Sequence, residues 1–122
     1  MRVLICGSRY FKNYRYFART MREIDDRYGP FKVVIHGGAS GTDFFAHLWA
    51  NSPLGAREEI EFKADWTAHG KSAGPIRNQK MLDNGNPDLV VAFPGGRGTA
   101  DMVRRAKAAK VPIVEVPPEV VT

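Results

Sequence analysis

Apolar residues in this chain come in short continuous runs, separated by longer stretches where they recur every three or four positions. Val3-Leu4-Ile5, Val33-Val34-Ile35 and Leu89-Val90-Val91-Ala92-Phe93 are continuous and rich in β-branched residues. Such runs read as strands buried on both faces. They predict strands at 2–6, 32–36 and 88–93. Arg57 to Ala64 alternate loosely, with Ile60 and Phe62 facing one way, and predict a strand at 58–64. Pro112 to Val116 predict a fifth, followed by a short tail. Between the strands the period lengthens. Asn13 to about Tyr28 reads as a helix burying Phe17, Met21 and Ile24, stopped by Gly29-Pro30. Thr42 to Asn51 reads as a helix with Phe45, Leu48 and Trp49 as its inner face. Asp65 to Gly74 is polar. Pro75 then suits the first position of a short helix that runs to Asn84-Gly85. Gly98 to Ala109 is the last helix. No segment repeats and none is of low complexity.

Strands alternating with helices predict one α/β domain over 1–122, with a mostly parallel five-stranded sheet covered on both faces. Crossovers in such sheets are right-handed. Their ligands bind beyond the carboxyl ends of the strands, where strand order reverses. Three glycine-bearing turns follow apolar strands at that edge. They are Cys6-Gly7-Ser8-Arg9, His36-Gly37-Gly38-Ala39-Ser40-Gly41-Thr42-Asp43 and Pro94-Gly95-Gly96-Arg97-Gly98-Thr99. Glycine lets a backbone approach a ligand closely, and free N–H groups at a helix start attract anions. Three such turns in register predict a phosphate-binding crevice.

Composition adds bounds. A chain of 122 residues with 43% apolar and 25% charged residues is ordinary for one globular domain with a real core. No apolar run approaches the ~20 residues that span a bilayer, and no signal peptide is visible. A single cysteine, Cys6, excludes an internal disulfide and reads as a small core residue. These absences favour a cytoplasmic location and no membrane partner. The net charge of +5 favours anionic ligands. The basic residues are dispersed, however. Arg15, Arg19, Arg22 and Arg27 on one helix, and Arg104, Arg105, Lys107 and Lys110 on another, read as solvated faces. Tyr10, Phe11, Tyr14, Tyr16 and Phe17 near Lys12 and Arg15 are the best aromatic–basic cluster for nucleic acid, though packing claims several of them.

The motifs Gly7-Ser8-Arg9, His36 to Asp43, Ala64-Asp65-Trp66 with His69-Gly70-Lys71, Gly74-Pro75-Ile76-Arg77-Asn78 and Ala92 to Thr99 carry a resemblance over nearly the whole chain. It resembles small stand-alone members of the SLOG superfamily related to the YspA and YpsA proteins. More distantly it is similar to the Lonely Guy phosphoribohydrolases and the DNA-processing protein A family. The resemblance implies a Rossmann-like three-layer sandwich, a nucleotide-derived ligand and, because such relatives often pair, a homodimer or higher assembly. It leaves the reaction open. Lonely Guy enzymes carry P-G-G-x-G-T-x-x-E. Here Pro94, Gly95, Gly96, Gly98 and Thr99 match, but Met102 stands in place of the glutamate and Asp101 lies one residue earlier. Arg77 and Met81 keep the four-residue spacing of an arginine and a methionine on the preceding helix. A one-residue shift on a helix turns a side chain by about 100°. Cleaving an N-glycosidic bond calls for a fixed carboxylate near the sugar.

The expected ligand-binding residues are therefore Gly7, Ser8, Arg9, Gly37, Gly38, Ser40, Gly41, Thr42, Asp43, Arg77, Asn78, Gly95, Gly96, Gly98 and Thr99. Arg77 is the expected phosphate clamp. Arg77, Asp101 and Asp43 are the catalytic candidates if there is turnover. Ser40 and Thr42 also suit helix capping, and Asp43 suits a helix dipole. His36 fits a satisfied core histidine better than a base, and Trp66 fits packing as well as base stacking. His36, His47 and His69 lack metal-ligand spacing, so no metal is expected. No cofactor is required, although magnesium can arrive on a nucleotide phosphate against Asp43 or Asp65. There is no G-K-[ST] loop and no nucleophile elbow. The leading reading is a nucleotide-derivative-binding domain, a sensor or carrier. Behind it stand an N-glycosidic hydrolase acting on nucleotides and a single-stranded nucleic-acid binder.

Overall fold

A computed structural model of the chain describes residues 1–53, 55 and 57–119. Its elements are β1 (Arg2–Cys6), α1 (Tyr14–Tyr28), β2 (Val33–His36), α2 (Thr42–Ala50), β3 (Glu58–Glu61), α3 (Trp66–His69), α4 (Ala73–Gly85), β4 (Leu89–Ala92), α5 (Arg97–Ala108) and β5 (Ile113–Glu115), with a 3-10 turn at Gly70–Ser72. The five strands lie in the order β3-β2-β1-β4-β5 and every pairing is parallel. The chain starts in the middle of the sheet, winds outward to β3, crosses back to β4 and ends at β5. The order reverses between β1 and β4.

Alternation along the strands builds two cores. Val3, Ile5, Val34 and Val91 face one side, where Phe17, Met21 and Ile24 of α1 and Ala46 and Trp49 of α2 cover them. Leu4, Ile35 and Val90 face the other, under Met81 and Leu82 of α4 and Met102 and Ala106 of α5. This is the parallel sheet covered on both faces expected of the pattern and the Rossmann-like sandwich implied by the resemblance, and each of the five expected strands forms, β3 shorter than expected. Cys6 is buried at the end of β1, and burial pushes its thiol up to about 12, so it behaves as a core residue. Among the described residues, no helix is long and apolar enough to cross a membrane.

Several local expectations are corrected. The polar stretch after β3 contains a helical turn, α3, because the Asp65 carboxylate caps it by accepting from the Ala68 N–H at 3.0 Å. Helix α4 opens at Ala73, so Pro75 is its third residue. Proline is tolerated there because the N–H it lacks would have no partner in a first turn. The strand expected over 58–64 stops at Glu61. Leu48 is exposed, while Ala46 and Ala50 take the inner face of α2. The tail after Val116 ends in residues 120–122, which lie outside the described residues.

The solvated basic faces form except at Arg105, which is half-buried and donates to Asp101 and Gln79, while Arg104, Lys107 and Lys110 are exposed. Arg15, Arg19, Arg22 and Arg27 are exposed on α1. The aromatic cluster is packing: Phe11 contacts Phe45 and Phe93, and Phe17 stacks on Phe93 and Tyr14. Only Tyr10 of that group stands clear, at 76% exposure.

Candidate functional site

Strand order brings the three glycine turns to one edge. The first leaves β1 between the other two and is stitched to both. Its Ser8 N–H donates to Pro94 O at 3.0 Å, and its Ser8 carbonyl accepts from the Thr42 N–H at 3.0 Å and the Thr42 hydroxyl at 2.9 Å. The Ser40 hydroxyl donates to Arg9 O at 3.1 Å. The passage is close enough to demand glycine. A Cβ on Gly7 would lie 2.5 Å from Thr42 Oγ1 and 2.8 Å from Phe93 Cβ. Gly41 meets the Ser8–Arg9 backbone with φ at +70°, a conformation other residues rarely adopt.

The second turn is closed inward. The Gly38 N–H donates to His36 Nδ1 at 3.0 Å, and the Ala39 N–H donates to Asp43 Oδ2 at 3.2 Å. Arg77 reaches across from α4, donating from Nη1 to Gly37 O at 2.7 Å and from Nε to Asn78 Oδ1 at 3.0 Å. Gly37 is pressed between Arg77 and Asp43, so a Cβ there would displace the Arg77 guanidinium, whose nearest nitrogen would lie only 2.3 Å away. Burial pushes the Asp43 carboxyl up, against the pull of the Ala39 N–H and of Arg77. Burial likewise lowers Arg77, and Asp43 opposes it. Arg77, the expected clamp, thus already holds a backbone carbonyl of the fold.

The third turn is open. The first backbone bond of α5 runs from the Ala100 N–H to Gly96 O at 3.1 Å. Among the described residues, no protein acceptor faces the N–H groups of Gly96, Arg97, Gly98 and Thr99, and no side chain caps this helix. A Cβ at Gly96 or Gly98 would meet nothing within 4 Å. Beside the turn a groove of about 480 Å³ runs between α5 and the end of β5, lined by Gly95, Gly96, Thr99, Val103, Lys107 and Glu115 among others. A second depression, about 510 Å³ against Lys71, Ile76 and Lys80, includes no residue of the three turns.

Asp101 does not stand free in the crevice. It is buried between α4 and α5, where Asn78 Nδ2 donates to it at 3.0 Å and Arg105 Nε at 2.9 Å, with Arg104 on its other oxygen. Burial alone would raise its carboxyl, but these donors and charges outweigh it and lower it. Asn78 also donates to Gly98 O at 3.2 Å, tying α4 to the third turn. Met102, which takes the glutamate's place in the motif, lies fully buried in the core. Trp66 is 58% exposed at the start of α3, and Arg9, His69 and Lys71 are exposed.

One cluster has no signal in the sequence. His36 Nε2 lies 2.5 Å and His47 Nδ1 2.7 Å from the same oxygen of Glu59. The residues are 23 and 12 positions from Glu59, so only the β2–β3 pairing and the return of α2 bring them together.

A sequence profile of the YspA, cpYpsA-related SLOG family matches residues 1–69, which include the first two turns. The Gene 61 protein of Mycobacterium phage D29 is 39% identical over 121 residues, covering 93% of this chain and 94% of that protein. The chain belongs to this SLOG family. For a SLOG domain the geometry divides the labour among the turns. The first binds the edge together, the second is built into the fold, and the third offers open N–H groups at a helix start.

Proposed function

We propose that this SLOG domain binds a phosphorylated nucleotide derivative across its glycine-lined sheet edge, with the phosphate on the third turn. The observation that carries the reading is the open start of α5. Among the described residues, four N–H groups at this helix start have no protein acceptor, beside two glycines with free space over their Cα atoms, at the strand-order reversal. The positive end of the α5 dipole adds to the attraction. Arg9 on the first turn is an exposed cation, and Lys107, far along α5, lines the adjoining groove. Arg77 and Asp43 act from behind, keeping the second turn in shape, and Asn78 aligns the third.

Binding without turnover fits better than N-glycosidic hydrolysis. Asp101, the displaced carboxylate of the motif, is engaged by Asn78, Arg104 and Arg105, so it has no free oxygen to direct at a sugar. A magnesium ion can accompany the phosphate, but none of the residues at the third turn is an acidic ligand. A single-stranded nucleic-acid groove finds little support, because the aromatics beside the basic residues are used in packing.

Calorimetry with a panel of nucleoside mono- and diphosphates tests the reading. Wild type should bind at least one of them. Gly96→Val should fold normally, since its side chain projects into open space, and should lose that binding because the side chain covers the N–H groups. A wild type that binds none of the panel, or a Gly96→Val variant that binds as wild type does, would refute the phosphate site.

A further inference from the structure

His36 ends β2 with 1% exposure, yet both ring nitrogens are engaged. Nδ1 accepts from the Gly38 N–H at 3.0 Å, and Nε2 faces Glu59 Oε2 at 2.5 Å. An amide N–H can only donate, so Nδ1 must present its lone pair and the proton of the neutral ring sits on Nε2. Glu59 is the natural acceptor for it. Glu59 is fixed in turn by His47 Nδ1 at 2.7 Å and by Asn51 Nδ2 at 3.1 Å. His36, His47 and Glu59 place ligand-type atoms within 4.8 Å of one another, as a zinc-type site would. The polarity of the bonds argues otherwise. A histidine that ligates through Nε2 carries its proton on Nδ1 and donates it to an acceptor. Here Nδ1 faces a donor.

We propose that Glu59 and His36 are positioning residues of the second glycine turn. Glu59 fixes the Nε2–H tautomer of His36, and the Nδ1 lone pair so presented holds the Gly38 N–H. Gly38 has φ at +73°, and the turn it opens carries Asp43 and the Ser40, Gly41 and Thr42 contacts to Ser8 and Arg9. Those contacts fix the second turn against the first, which is tied to the third by the Ser8 N–H bond to Pro94 O. The edge that receives the phosphate is therefore held in part from β3, outside the crevice; this rests on the binding reading above. Protonating His36 at Nδ1 would set two N–H groups against each other and release Gly38. The charged groups around the ring are Glu59 and Glu61 on β3, His47 and Asp43 on α2, and Arg77 behind Gly37.

Nitrogen-15 NMR of the ligand-free protein tests the relay directly. His36 should show an unprotonated Nδ1 and a protonated Nε2, and the Gly38 amide should shift in Glu59→Gln. Glu59→Gln should blur the tautomer and weaken binding of adenosine monophosphate, or of whichever panel nucleotide binds, by up to about tenfold. His36→Asn supplies a conservative rescue, because an asparagine oxygen accepts from the N–H two residues on. In that background Glu59→Gln should change affinity no further. A His36 ring protonated on Nδ1 in the neutral protein would overturn the relay. So would an undiminished effect of Glu59→Gln in the His36→Asn background. Stoichiometric zinc binding that perturbs both histidine rings would replace the relay with a metal site. Because the tautomer is read without ligand, failure of every nucleotide to bind would sink the binding reading and leave the relay standing.

Discussion

Residues that look interchangeable in the glycine turns carry different burdens. Gly37 is squeezed between Arg77 and Asp43, whereas Gly96 borders open space, so substitutions should separate folding from binding. Arg77→Ala removes two donors, one of them to the Gly37 carbonyl, and should destabilise the free protein by about 1–3 kcal/mol. Thermal melting should show that loss before any ligand is added, and an unchanged melting temperature would mean that Gly37 does not need the arginine. Asp101→Asn leaves Arg104 and Arg105 without their ionic acceptor and should likewise cost about 1–3 kcal/mol. If Asp101 is structural, any hydrolysis of nucleoside monophosphates by wild type should persist in Asp101→Asn at a temperature where both are folded. Abolished turnover in a folded variant would return the carboxylate to the catalytic list. The sequence named both residues and misjudged their surroundings. An arginine after a Gly-Pro pair and an aspartate near a P-G-G-x-G-T motif fit phosphate binding and catalysis as well as they fit structure. Only the positions of the neighbouring carbonyls and guanidinium groups decide.

Elements were the most legible level. Continuous apolar runs can hardly avoid being buried strands, and each of the five formed within a few residues of its expected span. The misreadings fall where local chemistry overrides periodicity: the Asp65 cap that makes α3, the proline admitted to the first turn of α4, and the alanines that face inward on α2 in place of Leu48. What the sequence could not convey is the join between elements. Glu59 on β3 meets His36 on β2 and His47 on α2 only through strand pairing. Partial burial would raise the Glu59 carboxyl, but hydrogen bonds from His36, His47 and Asn51 hold it at about 2, against 4.5 for the free side chain. A folded value below the unfolded one means stability that is present above pH 4.5 and lost as pH falls towards 2. Acid unfolding followed by circular dichroism should thus be steep in that window for wild type and shallower for Glu59→Gln. Equal slopes would show that the triad adds nothing to folding.

At the scale of the whole molecule, the helices beginning near Asn13 and Gly98 bury their apolar faces in the two cores. Phe44 and Leu48, one turn apart on α2, are an exposed apolar pair among the described residues. We expect the chain to self-associate through that helix. Sedimentation at micromolar concentration should give a species heavier than 13.6 kDa for wild type and a monomer for Phe44→Glu. A wild-type monomer would reject the assembly. The central claim concerns where a phosphate comes to rest, and amide NMR reads that directly. Titrating a nucleoside monophosphate should move the N–H resonances of Gly96, Arg97, Gly98 and Thr99 first and furthest, with smaller shifts at Ser8 and Arg9. Shifts confined to other parts of the surface, or none at saturating nucleotide, would contradict the account.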